Sequence, residues 1–385
     1  VLTTLAVAGY RSLRDVVVGL DRVTVVTGAN GTGKSSLYRA LRLLAESARG
    51  GVVAALAREG GLPSATWAGP ETISGSMRRG EQPVQGTRRT GPVRLQVGFA
   101  SDDLGYAMDL GLPKPDMPTV FDLDPEIKAE HVWSGPAPRP AAMLTQRHGA
   151  VATSRGDAGW QELSRTLRPY ESMLAETGDA VLSPELLDLR ERMRGWRFYD
   201  HLRTDAHAPA RAAAVGTRTP VLAGDGADLA AAIATIQEIG RADALAAAVD
   251  GAFEGSTVGV DVAAGRFTLW LRQPGMLRPL RAEELSDGTL RFLLLAAALL
   301  SPRPPELFVL NEPETSLHPD MLAPLAGMIA AAAEHTQIIL VTHSATLAGA
   351  LGDDVARVEL VKELGETRVA DQGVLDRPSW SWPKR

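Results

Sequence analysis

The chain has 385 residues, 40 basic and 46 acidic, for a formal net charge of −6. With 45% hydrophobic and 22% charged residues it has the composition of a folded protein, long enough for one large domain or two to three ordinary ones. The acidic balance argues against a polybasic nucleic-acid coat while leaving room for a local basic groove, and the absence of cysteine excludes disulfides, thiolate zinc sites and cysteine nucleophiles.

The first residues, VLTTLAVAGYRSL, lack a basic leader and a long apolar run, so no signal peptide is expected. VTVVT (23–27) reads as a buried strand, GANGTGKSS follows, and LYRALRLLAE then has helical spacing. Strand, glycine loop and helix together make an α/β nucleotide-site entry. The middle of the chain is different. Residues 50–90 are rich in glycine, arginine, serine and proline, and 113–125 and 134–143 are turn-rich. The spacing predicts a helix over 184–202, a loop over 217–229 entering a helix with Asp225 or Asp228 as its cap, and a strand over 266–272. FLLLAAALL (292–300) is nine residues, too short to cross a bilayer, and reads as a buried helix of a cytoplasmic protein with no membrane span. LFVL (307–310), IILVT (338–342) and VARVEL (355–360) are further apolar strands, with a helix over 321–335 between the first two. With 23–27 they predict one largely parallel sheet assembled from both chain ends. No internal repeat and no sustained heptad is present, so the insert is expected to be a compact lobe and not a coiled-coil arm.

The stretch Gly28-Ala29-Asn30-Gly31-Thr32-Gly33-Lys34-Ser35 matches G-x-x-x-x-G-K-[ST] without a gap. Gly28, Gly31 and Gly33 let successive backbone N–H groups, Asn30's included, turn inward around phosphate oxygens, and the helix that follows aims its positive end at the anion. Lys34 is expected on the β- and γ-phosphates of ATP and the Ser35 hydroxyl on Mg²⁺, with Ser36 beside them packing or capping locally. The flanking strand and helix argue against an accidental glycine turn.

LFVLNEPETSLHPD (307–320) delivers Asn311, Glu312 and Glu314 at the C-terminal edge of a strand, where open parallel sheets place ligand chemistry. Glu312 is the candidate general base, or the residue that polarises the attacking water. Asn311 stands where a magnesium-associated aspartate is expected; its amide can hold a metal-bound water but brings no charge. Glu314 is a candidate to compensate in part, against a purely structural role.

These residues, with Leu285-Ser286-Asp287-Gly288-Thr289, resemble the ABC-type ATPase heads, and most closely their soluble SMC and RecF-like branch. The chain is also similar to bacterial predicted ATPases of an AAA/ABC-like group. That likeness takes in WAGPE (67–71), DPEIKAE (124–130), WRFYDHLRTD (196–205) and SWSWP (379–383). The resemblance implies an α/β P-loop NTPase fold: an ABC-type ATPase head split into 1–50 and 275–385. The insert, 51–274, would hold peripheral core strands and an α/β or mainly helical lobe. It implies that Ser286 and Gly288 of one subunit face the γ-phosphate held by another. The carboxylate of Asp287 would then need compensation, for which Arg291 is the candidate. His343 is the expected γ-phosphate and partner contact, and His318 falls in a subunit-contact segment. No clear Q-loop glutamine stands out; Gln82, Gln96 and the WAGPE segment are candidates. Arg190, Arg192, Arg194, Arg197 and Arg203, interleaved with Trp196, Phe198 and Tyr199, could grip phosphates and stack bases of DNA, or form a solvated helix. Arg211 and Arg218 are candidates to support nucleotide binding, and Trp380 and Trp382 are expected to anchor the tail.

The function so implied is a Mg²⁺-dependent ATPase whose two heads dimerise on ATP, in DNA maintenance, repair or defence. The alternative is a slow-turnover nucleotide switch that binds a protein partner without touching DNA.

Overall fold

The computed structural model describes residues 1–83, 91–113, 120–200, 202–373 and 375–385. Part of the turn-rich stretches predicted over 50–90 and 113–125 lies outside the described residues, as does position 201 of the predicted helix. The chain divides into two compact units: Val1–Asp21, Val26–Gly195 and Arg357–Arg385 in the first, Arg22–Val25 and Trp196–Ala356 in the second.

The first unit is built on an eight-stranded sheet. Its order is Leu13–Gly19, Leu2–Tyr10, Leu95–Ser101, Leu104–Gly111, Glu126–Ser134, Met143–His148, Val151–Gly156 and Gly159–Ser164. Every neighbouring pair is antiparallel. The six strands between Leu95 and Ser164, in a region the sequence leaves open between α/β and mainly helical, thus form antiparallel sheet. Leu95–Ser101 and Leu104–Gly111 are buried on both faces, while the last strand is largely exposed. Helix Lys34–Ser47 buries Leu37, Leu41 and Leu44 along one stripe. Helix Pro184–Gly195 buries Leu186, Leu189 and Met193, and Arg194 fastens it by donating from Nε to the Ala48 carbonyl at 2.9 Å. The tail tryptophans pack but are only partly buried: Trp380 lies edge-on to Trp133 with ring centroids 5.6 Å apart, and Trp382 lies edge-on to Trp380 at 5.2 Å.

One ion pair in this unit is wholly buried. Arg147 and Glu130 are each 0% exposed and meet at 2.9 Å. Two desolvated charges are tolerated only when the remaining donors and acceptors are also met. Glu130 accepts further bonds from the Tyr106 and Ser172 hydroxyls and the Met173 N–H, and Arg147 donates to the Gly149, Arg168 and Glu171 carbonyls.

In the second unit, strands Arg197–Tyr199, Leu307–Asn311 and Gln337–Val341 run parallel in that order. The chain at Arg22 joins them, its carbonyl accepting from Ile338 N–H at 2.9 Å. The helix predicted over 184–202 thus ends at Gly195, and its aromatic end is an edge strand. Tyr199 explains the change: its ring packs on Phe308 at 5.9 Å and its hydroxyl donates to the Leu222 carbonyl, contacts a continued helix would forgo. The run 292–300 falls, but for its capping last residue, in helix Asp287–Leu299, in which every residue from Thr289 to Leu299 is buried. Helix Leu322–Ala333, helices Leu229–Ile239 and Ala242–Ala252, and the hairpin Thr257–Ala263/Arg266–Arg272 pack into the same core. Asp228 stands at the cap position of Leu229–Ile239, yet its carboxylate accepts from the Ala223 N–H and not from the helix. Among the described residues, no helix is long and apolar enough to cross a membrane.

Replacing Arg147 by Met would strand the Glu130 charge in the core. Urea unfolding of Arg147→Met is expected to show a loss of about 3–5 kcal/mol; a loss below about 1 kcal/mol would mean that Glu130 finds another partner.

Candidate functional site

The strand Val23–Thr27 runs into the glycine loop, and the helix begins at Lys34. The three glycines are needed for two different reasons. A Cβ on Gly28 would lie 2.3 Å from the Leu360 carbonyl oxygen, and one on Gly33 would lie 2.4 Å from Thr367 Oγ1. Gly31 has open space around it, but its φ of 80° is left-handed. Asn30, Gly31 and Ser35 are exposed along the loop, and Ser36 is buried. No side chain caps the helix start and no acidic residue stands in its first turn, so its positive end is uncovered. Lys34 is 6% exposed, and its Nζ donates to the Gly28 carbonyl at 2.5 Å and the Ala29 carbonyl at 3.1 Å. The ammonium thus closes the loop on itself from beneath.

Two residues that no motif reading finds hold this loop. Thr367 donates from Oγ1 to the Thr32 carbonyl at 2.6 Å, lies 2.8 Å from Ser12 Oγ, and its N–H donates to the Ser12 carbonyl. Both are far from the loop in sequence, and each is a commonplace hydroxyl.

In the second unit the strand Leu307–Asn311 ends on Glu312, which has φ 48°, and whose N–H donates to the Val341 carbonyl. A non-glycine residue there is strained. His343 Nδ1 lies 3.4 Å from Glu312 Oε1 and 3.9 Å from Glu314 Oε1. Glu314 Oε1 accepts from the Thr342 hydroxyl at 2.5 Å and the His343 N–H at 3.3 Å. The structure thus brings Glu312, Glu314 and His343 together, with Asn311 beside Glu312 in the chain. Asn311 Oδ1 and Glu314 Oε2 are buried with no hydrogen-bond partner among the described residues. Unanswered buried oxygens of this kind suit a hard cation or the water bound to one.

The signature segment lies in the same unit. Ser286 caps helix Asp287–Leu299, its Oγ accepting from the Thr289 N–H at 3.1 Å. A Cβ on Gly288 would come within 2.6 Å of the Ser316 carbonyl oxygen, and Ser316 has φ 67°. Arg291 does not answer Asp287. It is buried, and it donates to the carbonyls of Glu312, Pro313 and Leu202. Burial pulls its pKa down, against the opposing fields of Glu314 and Glu312. Arg211 pairs with Asp287 instead, Nη2 to Oδ1, at 2.8 Å. The expectation fails because i to i+4 spacing made Arg291 the near candidate, while the carbonyls of the acidic loop claim its donors.

The other candidates have ordinary partners. Gln96 is buried and donates to Asp109, and the Gln82 side-chain oxygen accepts from Ser76. Trp67 Nε1 donates to the Pro70 carbonyl, and the Glu71 carbonyl accepts from Arg14. His318 caps the turn Pro319–Met321 and lies 3.2 Å from Asp320. Arg218 is an exposed residue 4.0 Å from Glu238. In the arginine stretch, Trp196 and Tyr199 are buried and present no faces to bases. Arg190 donates to the Ala175 and Thr177 carbonyls, Arg192 to Asp103, Arg194 to Ala48 and Glu191, Arg197 to the Trp196 carbonyl and Arg203 to Asp205.

A glycine loop opening a helix, and a parallel sheet with acids at a strand end, define an α/β P-loop NTPase fold, an ABC-type ATPase head with an inserted lobe. The chain belongs to the family described as "AAA domain, putative AbiEii toxin, Type IV TA system", which it matches over residues 23–138 and 160–348. No curated protein matches it. Among solved structures it is similar to the Smc head bound to the C-winged helix domain of ScpA, at 14% identity and a TM-score of 0.54, covering 97% of this chain and 98% of that one. It is also similar to the Smc head domain with an extended coiled coil bound to the C-terminal domain of ScpA from Pyrococcus furiosus, at 13% identity and a TM-score of 0.50, covering 96% and 95%. The SMC-like fold is thereby shared over nearly the whole chain.

The left-handed backbone at Glu312 makes a stability test. Glu312→Gly is expected to be more stable than Glu312→Ala by about 1 kcal/mol, the reverse of their order in a helix. Equal thermal unfolding midpoints would show that the loop relaxes out of that conformation.

Proposed function

We propose that the chain is a Mg²⁺-dependent ATPase that binds ATP at the glycine loop and dimerises through its signature segment when ATP is bound. The observation that carries this reading is the loop itself: three glycines in forced geometry, an uncapped helix start, and the Lys34 ammonium held at the loop's own carbonyls. Backbone N–H groups of Gly28, Asn30, Gly31 and Gly33 would receive phosphate oxygens, with Ser35 and Ser36 at the helix start. Lys34 would exchange the Gly28 and Ala29 carbonyls for β- and γ-phosphate oxygens. Ser35 and, through a water, Asn311 would hold Mg²⁺, and Glu314 supplies the negative charge that Asn311 lacks. When bound, the ion screens phosphate charge and aligns the γ-phosphate for in-line transfer.

Glu312 would accept a proton from the attacking water as the new oxygen–phosphorus bond forms and the bond to the β-phosphate oxygen breaks, giving ADP and phosphate. His343, within reach of both Glu312 and Glu314, would orient the first and contact the γ-phosphate. Ser286 and Gly288 of one copy would receive the γ-phosphate held by the second, so that ATP favours the closed dimer and hydrolysis releases it. Lys34→Ala is expected to lose binding of a fluorescent ATP analogue. Glu312→Gln is expected to retain it and to accumulate as a dimer by light scattering. Normal turnover in Glu312→Gln would remove Glu312 from its assigned role.

The task we propose for this cycle is DNA maintenance, repair or defence in the cytoplasm, in keeping with the RecF-like resemblance and with the toxin named in the family's description. A second reading, a slow nucleotide switch acting on a protein partner, is favoured by two observations. Asn311 adds no charge where a carboxylate is expected, and two of the three aromatics of the proposed DNA surface at Arg190, Arg194 and Arg197, namely Trp196 and Tyr199, are buried. The similar Smc heads are themselves bound to a protein, ScpA. Titration with single-stranded, duplex and end-containing DNA, with and without ATP and at two salt concentrations, separates the two. ATP-dependent binding that weakens with salt supports the first; none under any condition supports the second.

A further inference from the structure

Asp287 is an anomaly in a segment proposed to receive a phosphate. It is the first residue of helix Asp287–Leu299, between Ser286 and Gly288, and its side chain is 59% exposed. A carboxylate in a first helical turn stabilises the helix by answering its positive end. It does so by competing with any other anion for that end, and an unpaired carboxylate would repel an approaching γ-phosphate.

Arg211 meets both parts of this problem. It ends the short turn Pro209–Arg211, and its side chain is 9% exposed. Nη2 holds Asp287 Oδ1 at 2.8 Å. Nη1 donates to three carbonyls of the segment leading into the helix: Ala282 at 3.0 Å, Glu283 at 3.3 Å and Leu285 at 2.8 Å. Nε and Nη2 also hold the Thr204 carbonyl, at 2.9 and 2.7 Å. One guanidinium therefore fixes the backbone up to Ser286 and neutralises the carboxylate just after it. Two other arginines near this segment are used elsewhere: Arg278 is bidentate on Glu284, at 2.7 Å for each bond, and Arg291 serves the acidic loop.

We infer that Arg211 is a positioning residue for the signature segment, which keeps the Asp287 carboxylate clamped so that the helix end beside Ser286 and Gly288 accepts a phosphate. This rests on the proposed ATP-driven dimerisation. It assigns Arg211 no contact with ATP, in place of the nucleotide-supporting role its charge first suggests. A lysine could not do the same work, since a point charge cannot hold a carboxylate and several carbonyls in one plane.

The test uses the full-length chain in the Glu312→Gln background, where ATP-driven dimers accumulate. Wild-type Arg211, Arg211→Met, Asp287→Asn and the double variant Arg211→Met/Asp287→Asn are compared. The readouts are binding of a fluorescent ATP analogue at low protein concentration, dimerisation by light scattering, and the thermal unfolding midpoint. Arg211→Met is expected to bind the analogue as the parent does but to dimerise about 10–100-fold more weakly, by the repulsion of one added charge near phosphate. Asp287→Asn is expected to dimerise at least as well as the parent. The double variant is expected to regain at least about tenfold over Arg211→Met, which a merely structural role for Arg211 would not produce.

The inference is overturned if Arg211→Met dimerises like the parent, or if removing the carboxylate gives no rescue. Should Arg211→Met fold poorly, Asp287→Asn decides alone, since it leaves the Arg211 bonds to carbonyls in place: dimerisation tenfold weaker than the parent would make the carboxylate a required group and overturn the inference. A parent that binds the analogue but does not dimerise overturns the proposed dimerisation itself, an outcome distinct from any pattern among the variants.

Discussion

A loop that receives a ligand must leave some backbone groups open, and every other polar group around it must still be answered. Sheet and helix partners cannot do this, because regular pairing would close the loop. Side chains take their place in both units. In the first, Lys34 serves the carbonyls of Gly28 and Ala29, and Thr367 serves that of Thr32. In the second, Arg291 serves Glu312 and Pro313, and Arg211 serves Ala282, Glu283 and Leu285. An unanswered buried carbonyl costs about as much as a lost hydrogen bond, so these side chains are what permits the irregular backbone.

The same requirement accounts for strain being kept at Glu312 and Ser316. Both residues have left-handed backbone, and both lie just beyond a parallel strand. The Glu312 N–H is held by the Val341 carbonyl and its own carbonyl by Arg291, so both backbone polar groups are pinned. Gly288 completes the arrangement, since any Cβ would strike the Ser316 carbonyl. The acidic loop and the signature helix are thus packed backbone to backbone. At that point no side chain separates them, so neither can move toward the other without a backbone clash.

Much of this was legible in the sequence, for identifiable reasons. The loop 28–35 has a gapless motif in which each residue type answers a local need of the backbone or of phosphate. The strands 307–310 and 338–342 are short apolar runs with charged or polar ends, and they are found as strands at nearly those bounds. The failures share a different cause: in each, a long-range partner overrode a local pattern. Residues 196–199 continue a helical spacing, yet Phe308 and the Leu222 carbonyl draw Tyr199 into a strand. Arg291 is the near neighbour of Asp287 on a helix, yet Arg211, distant in sequence, makes the pair. Thr367 and Ser12 carry no signal at all, because a hydroxyl that donates to one carbonyl has no spacing to betray it.

The placement of charge around Asn311 follows from the same accounting. An amide in place of a carboxylate spares the second unit a further anion beside the half-exposed Glu312 and the buried Glu314. Those two already share His343 at 3.4 and 3.9 Å, and the guanidinium of Arg291, their nearby cation, is spent on carbonyls. A third carboxylate there would add repulsion among the three, and that would oppose folding. Asparagine removes that repulsion and keeps an oxygen that is buried and has no hydrogen-bond partner among the described residues. In the cycle proposed above, Asn311 would therefore attract the ion less strongly than aspartate would at this position.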